Sequence, residues 1–153
     1  MSQTLRQIDL DTSLGYLLKE ASSALHTAME EVLRPLGMNI THYSCLELLK
    51  QRPGLSNSQL ARGAFVTRQS MNVLLQSLER DGIVTRQDRP ESGRALPTEL
   101  TDAGRAQLAA ASAAVREVED RMKSGLSDDE RLRFGDMLAR CVSALQATGS
   151  PVE

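Results

Sequence analysis

Ser56 to Arg105 reads SNSQLARGAFVTRQSMNVLLQSLERDGIVTRQDRPESGRALPTELTDAGR, two short capped helices and an arginine-bearing hairpin with no gap between them. Ser56 followed by Gln59 has capping-box spacing, in which the two side chains satisfy N–H groups that the first helical turn leaves without partners. Leu60, Ala61 and Ala64 give that helix a small apolar face, and Gly63 loosens the chain before a tight turn. A second helix follows with Thr67 as its N-cap. Its Met71, Leu74, Leu75 and Leu78 recur at i, i+3, i+4 and i+7, which buries one side and leaves Arg68, Gln69, Asn72, Gln76 and Arg80 on the other.

That outer set has a chemistry of its own. Arg bonds bidentately to guanine O6 and N7, and Asn or Gln to adenine N6 and N7, each pair discriminating by about 1–3 kcal/mol. Gly82 stands where a helix end needs positive φ, and Ile83 to Thr85 are β-branched residues suited to a strand. Arg86 and Arg89 lead into Pro90, Ser92 and Gly93, a turn cluster, before Arg94 and a return segment from Ala95 to Leu100. Pro97 cannot donate to a ladder, so the return strand is an edge or is bulged there. Thr101 and Asp102 cap the next helix. Helix, tight turn, helix and hairpin in this order predict a winged helix-turn-helix, a mainly α fold with a small β-hairpin wing.

The run GLSNSQLARGAFVTRQSMNVLLQSLERDGIVTR, followed by an arginine-tipped loop and ELTDAG, resembles the multiple-antibiotic-resistance regulator (MarR) family of bacterial transcription factors. MNITHYSCLELLKQRPG, Met38 to Gly54, resembles the family's helix leading into the motif, with Asn39 where a capping Thr is common. In the wing the family's Asp-x-Arg is here Ser92, Gly93, Arg94, which keeps the arginine and loses its acidic neighbour.

Outside the motif, three apolar stripes recur at helical spacing. Leu14, Leu17, Leu18, Ala21, Leu25, Ala28, Met29, Val32 and Leu33 form the first, which Pro35 and Gly37 end. Leu108, Ala111, Val115, Val118 and Met122 form the second. After the Gly125 break and the Ser127 cap, Leu132, Met137, Leu138, Cys141, Val142 and Leu145 form the third. Three long helices carry more apolar surface than so small a motif can cover, and a second copy would bury the surplus. A monomeric helical bundle is the alternative. By the resemblance, residues 1–37 and 101–153 make a two-fold homodimer and residues 38–100 form the DNA-binding lobe.

The 153 residues include only two Phe, two Tyr and no Trp, so the core must be aliphatic. The net charge is −2, yet Lys50 to Arg94 holds eight Lys or Arg against four acids, a local charge of +4 against −6 elsewhere. Such a division lets an acidic protein present a basic part to DNA. No run approaches the roughly 18 apolar residues of a membrane span, and Asp9 and Asp11 lie where a signal peptide would be apolar, so a cytoplasmic protein is expected.

On these grounds Arg68, Gln69, Asn72 and Gln76 are the expected major-groove readers, with Arg86, Arg89 and Arg94 on the wing. Ser56, Asn57, Ser58 and Thr67 are candidates for phosphate contacts at helix starts. The resemblance further implies a repressor of a pseudo-palindromic operator and a pocket for a small aromatic or amphipathic effector, for which His26, His42 and Tyr43, near Met29 and Met38, are candidates. Cys45 reads as a small core residue, and Cys141 lies on the last apolar stripe. The family's peroxide-sensing branch carries its reactive Cys on the first long helix, where this chain has none. Neither His26 nor His42 has a close metal-ligand spacing, and no catalytic or cofactor motif is present. No metal, cofactor or enzymatic activity is expected. The alternative function is a winged-helix module for a protein partner, or a metal or thiol sensor of the same family.

Overall fold

The structure is a computed structural model that describes residues 7–86 and 98–147. These residues form six α-helices and one hairpin: α1 (Leu14–Leu33), a 3₁₀ turn (Arg34–Leu36), α2 (Ile40–Gln51), α3 (Asn57–Gly63), α4 (Arg68–Arg80), β1 (Val84–Arg86), β2 (Thr98–Leu100), α5 (Asp102–Lys123) and α6 (Asp128–Ala147). The chain divides into two compact units, Met1–Val118 and Glu119–Glu153.

Local chemistry sets the helix ends. Ser13 caps α1 by accepting from the Tyr16 N–H at 3.2 Å, and Asn39 caps α2 by accepting from His42 N–H at 2.8 Å. Pro35 permits one 3₁₀ turn after α1, and Gly37 closes it at φ 71°. At the other end of the motif, Gly82 takes φ 73°, as its C′ position predicts. The Ile83 N–H then bonds back to the Leu78 carbonyl at 2.9 Å. Ile83 therefore belongs to the helix end, and β1 begins one residue later than β-propensity alone suggests.

β1 and β2 pair antiparallel, Val84 opposite Leu100, Thr85 opposite Glu99 and Arg86 opposite Thr98. Val84, Thr98 and Leu100 face inward while Thr85 and Glu99 face water. The expected residues of the return segment before Thr98, including Pro97, lie outside the described residues.

The first unit holds one aliphatic core. Leu33, Leu46, Leu60, Met71, Leu75 and Leu108 have no solvent exposure, and Cys45 is buried among them. The second stripe of the sequence is buried on α5 through Leu108, Ala111, Val115 and Val118. The second unit is built on the end of α5 and on α6, whose start is a capping box: Glu130 N–H donates to Ser127 Oγ at 3.2 Å and Ser127 N–H to Glu130 Oε1 at 2.9 Å. No residue of α6 is buried.

Candidate nucleic-acid interface

α3 and α4 are held by reciprocal caps. Gln59 N–H donates to Ser56 Oγ at 3.2 Å, and Ser56 N–H donates to Gln59 Oε1 at 2.8 Å, the capping box that the sequence predicts. Thr67 accepts from Ser70 N–H at 3.1 Å and its hydroxyl donates to Ser70 Oγ at 3.0 Å, so the Thr67 side chain is already engaged on both counts. Asn57 and Ser58 are half-buried, and the Asn57 amide oxygen is shielded without a hydrogen-bond partner.

Between the two helices the chain turns at Phe65 rather than at Gly63. The Val66 N–H reaches back to the Ala61 carbonyl at 3.0 Å, a Schellman closure that places Phe65 at φ 59°. A side chain in that conformation costs about 1–2 kcal/mol, and at 94% exposure the phenyl ring recovers almost nothing by burial. Gly63 has a different task. A Cβ there would lie 2.9 Å from Leu48 Cδ1, so glycine lets α3 pack closely on α2. Phe65→Gly should raise the urea midpoint, stabilising the fold by about 0.5–1 kcal/mol after the greater freedom of glycine in the unfolded chain is subtracted. A lower midpoint would mean that the ring has a structural contact.

α4 buries Met71, Leu75 and Leu78 and turns its polar set outward. Arg68, Gln69 and Gln76 are exposed and Asn72 is half-buried. Arg68 Nη1 donates to Ser58 Oγ at 3.3 Å, which couples the first residue of α4 to the first turn of α3. One exposed side chain on this helix is aliphatic: Val73, 62% exposed.

The wing cations divide differently. Arg86 lies beside Glu79, Nε 3.8 Å from Oε2, and its Nε and Nη2 are shielded without a hydrogen bond. The sequence groups Arg86 with the wing by charge, but much of its guanidinium faces the protein. Arg89 and Arg94 lie outside the described residues, with Ser92.

The base of the hairpin is tied to α5 through one hydroxyl. Thr101 Oγ1 lies 2.6 Å from the Gly82 carbonyl oxygen and 3.0 Å from that of Ile83, and it accepts from Gly104 N–H at 3.1 Å. Thr101 N–H also donates to the Ile83 carbonyl at 3.0 Å. Arg105 Nη1 donates to the Leu100 carbonyl at 3.0 Å and its Nη2 pairs with Asp102.

The three candidate effector residues have different surroundings. His26 is on the exposed side of α1, its Nε2 3.1 Å from Glu30 Oε1. His42 is half-buried, and desolvation lowers its pKa, with the neighbouring Gln107 side chain and the Asp81 charge opposing the shift. Tyr43 borders a cleft of about 210 Å³ with Ser44, Glu47, Gln51, Arg52 and Gly63. Burial raises the pKa of the Glu47 carboxyl there, but hydrogen bonds from Gln51, Ser112 and Tyr43 outweigh it and leave the pKa below the usual value. Burial pushes the Cys45 thiol up to about 12, which keeps it protonated and unreactive at neutral pH, whereas Cys141 is exposed. Among the described residues, no group of three or more His, Cys, Asp or Glu is placed to hold a metal, and no helix is long and apolar enough to cross a membrane.

Comparison with known proteins agrees with this arrangement. The sequence profile of the MarR family matches residues 36–95. The HTH-type transcriptional repressor Rv2887 of Mycobacterium tuberculosis is 41% identical over 130 residues, covering 85% of this chain and 94% of that protein. A crystal structure of the M. tuberculosis MarR family protein Rv2887 in complex with DNA superposes with a TM-score of 0.70 at 39% identity, over 86% of this chain and 98% of that one. The same protein in complex with salicylic acid gives a TM-score of 0.71 at 40% identity, over 86% of this chain and 97% of that one. With a capped helix pair, an outward polar face on α4 and a hairpin fixed to α5, the chain belongs to the MarR family of DNA-binding transcriptional regulators.

Proposed function

We propose that two copies of this chain form a ligand-responsive repressor on a pseudo-palindromic operator, with the two α4 helices in successive major grooves about one DNA turn apart. The observation that carries this reading is the outer face of α4, where Arg68, Gln69, Asn72 and Gln76 stand opposite a fully buried apolar side. Arg94 and Arg89 anchor the wing to the minor groove and backbone, and Arg86 is a lesser contributor because it leans on Glu79. Phosphates on the flanking strand are met by the side chains of Ser56, Asn57 and Ser58 and by the first N–H groups of α4 after Thr67. Residues 1–37 and 101–153 supply the dimer interface, which the exposed leucines of α1 and α6 support. The protein acts in the cytoplasm by binding alone, without catalysis.

The effector class follows from the salicylic acid complex of the M. tuberculosis relative: a small aromatic carboxylic acid. Arg52 on the rim of the Tyr43 cleft is the cation suited to it, while the ionised Glu47 works against an anion at the cleft's centre. Binding shifts the population toward a spacing of α4 helices that does not fit the operator.

A mobility-shift titration against DNA selected from a randomised duplex library tests the whole reading. Gln69→Ala is expected to lose about 1–3 kcal/mol of base preference, whereas Arg94→Ala weakens binding at all sites and lowers the salt slope by about 1 for each phosphate that is no longer neutralised. Salicylate should release the parent protein from the operator. Variants that bind every sequence as the parent does would remove the assignment of reader and anchor.

A further inference from the structure

Val73 is an exposed aliphatic residue in the middle of a polar face, and the fold gives no reason for it. It is 62% exposed on α4, so its side chain contributes little of the roughly 1.5–3 kcal/mol that a buried valine supplies. A β-branched residue also lowers helix propensity relative to alanine. The position therefore gives up local stability and takes nothing back from packing.

Its place on the helix is specific. At about 100° per residue, Val73 lies roughly 40° from Gln69 on one side, and Gln76 lies roughly 20° from Gln69 on the other. Met71 and Leu78, 0% and 2% exposed, are on the opposite side of the helix. At about 1.5 Å per residue, Gln69 and Gln76 are about 10 Å apart along the axis, with Val73 between them. That span is about three base-pair steps of 3.4 Å.

A second protein is a poor match for this surface, because the residues one turn away, Gln69, Ser70, Gln76 and Ser77, surround the valine with polar groups instead of extending an apolar patch. A base-pair edge in the major groove is a good match. It presents hydrogen-bonding groups throughout and one apolar group only, the C5-methyl of thymine.

We infer that Val73 is a specificity-determining residue that packs on the 5-methyl group of a thymine lying between the bases contacted by Gln69 and Gln76 in each operator half-site. The inference rests on the DNA reading given under Proposed function and adds a base to it. Val73 discriminates by shape and desolvation. Thymine fills the space against the isopropyl group, cytosine leaves it empty, and a purine places a polar N7 near it.

Uracil in place of thymine removes the methyl and leaves pairing, charge and backbone unchanged. The experiment takes the selected operator, replaces each half-site thymine by uracil in turn, and measures the affinity of the full-length parent, Val73→Ala and Gln69→Ala by mobility shift. For the parent, uracil at one position should weaken binding about fourfold per half-site, the effect of exposing one methyl group, and about fifteenfold when both half-sites are changed. Val73→Ala, a substitution that favours the helix, should bind thymine and uracil operators alike. Gln69→Ala should bind more weakly overall yet keep the uracil penalty. If no single uracil weakens the parent, or if Val73→Ala retains the penalty, the inference is overturned while the DNA reading stands. If the parent selects no sequence from the library, the DNA reading fails and the inference goes with it.

Discussion

Gly104→Ala should destabilise the folded protein by about 2–4 kcal/mol, although alanine is the better helix former by about 1 kcal/mol. A Cβ at position 104 would lie 2.1 Å from the Ile83 carbonyl oxygen and 3.2 Å from its carbon. The obstacle is backbone, and it is held in place: the Ile83 carbonyl accepts from the Thr101 N–H at 3.0 Å, and the Thr101 hydroxyl, 2.6 Å from the Gly82 carbonyl, lies 3.0 Å from it. Relief requires the first turn of α5 to move off the hairpin base, breaking hydrogen bonds worth about 0.5–1.5 kcal/mol apiece. Urea unfolding is the check. A lower midpoint at unchanged slope is expected, and operator affinity should fall with it because the wing loses its footing. An unchanged or higher midpoint would show that the helix does not approach the carbonyl so closely.

Leu132→Asp is the second substitution with a large expected effect, and it acts on assembly. Leu132 is 77% exposed on α6, so the single chain has no packing to lose there. In a two-fold interface every substitution occurs twice. Burying one leucine is worth about 1.5–3 kcal/mol, so two such changes weaken association by about 3–6 kcal/mol, a hundredfold or more, before the desolvation of two carboxylates is added. Sedimentation should give the parent about twice its 16.7 kDa chain mass and the variant about once that mass at the same concentration. Operator binding should fall to that of an isolated half-site. A variant that stays dimeric with full affinity would place the interface elsewhere. Leu14 on α1, 73% exposed, supplies an independent position for the same measurement.

Much of the fold is legible in the sequence because its signals are local. Ser56 and Gln59 meet across a single helical turn, so their spacing predicts the bond, and Thr67 and Ser127 cap the helices that follow them by the same local geometry. The burial of Met71, Leu75 and Leu78 follows from the helical period. What escapes depends on residues distant in sequence or on direction. Nothing around Gly104 marks its approach to Ile83, 21 positions earlier. Gly63 is the natural choice for the flexible turn residue, yet Leu48 on another helix requires it while Phe65 makes the turn. Charge places Arg86 on the wing, but charge has no direction, and Glu79 shows where the guanidinium lies. Val73 carries no such mark, because base-reading side chains are recognised by their hydrogen-bonding groups and an isopropyl group has none.

The bonds at Thr101 also make α5 a lever. The helix has 22 residues, about 33 Å, and its first turn is fastened to the hairpin base through the backbone N–H and the hydroxyl of one threonine. A stiff rod fastened at its tip transmits rotation without slack. Tilting α5 by about 5° about its far end carries the hairpin base through about 3 Å, nearly one base-pair step of 3.4 Å. A displacement too small to disturb the packing at one end of the rod is then enough to shift the strands at the other end by a distance that matters on the scale of stacked bases.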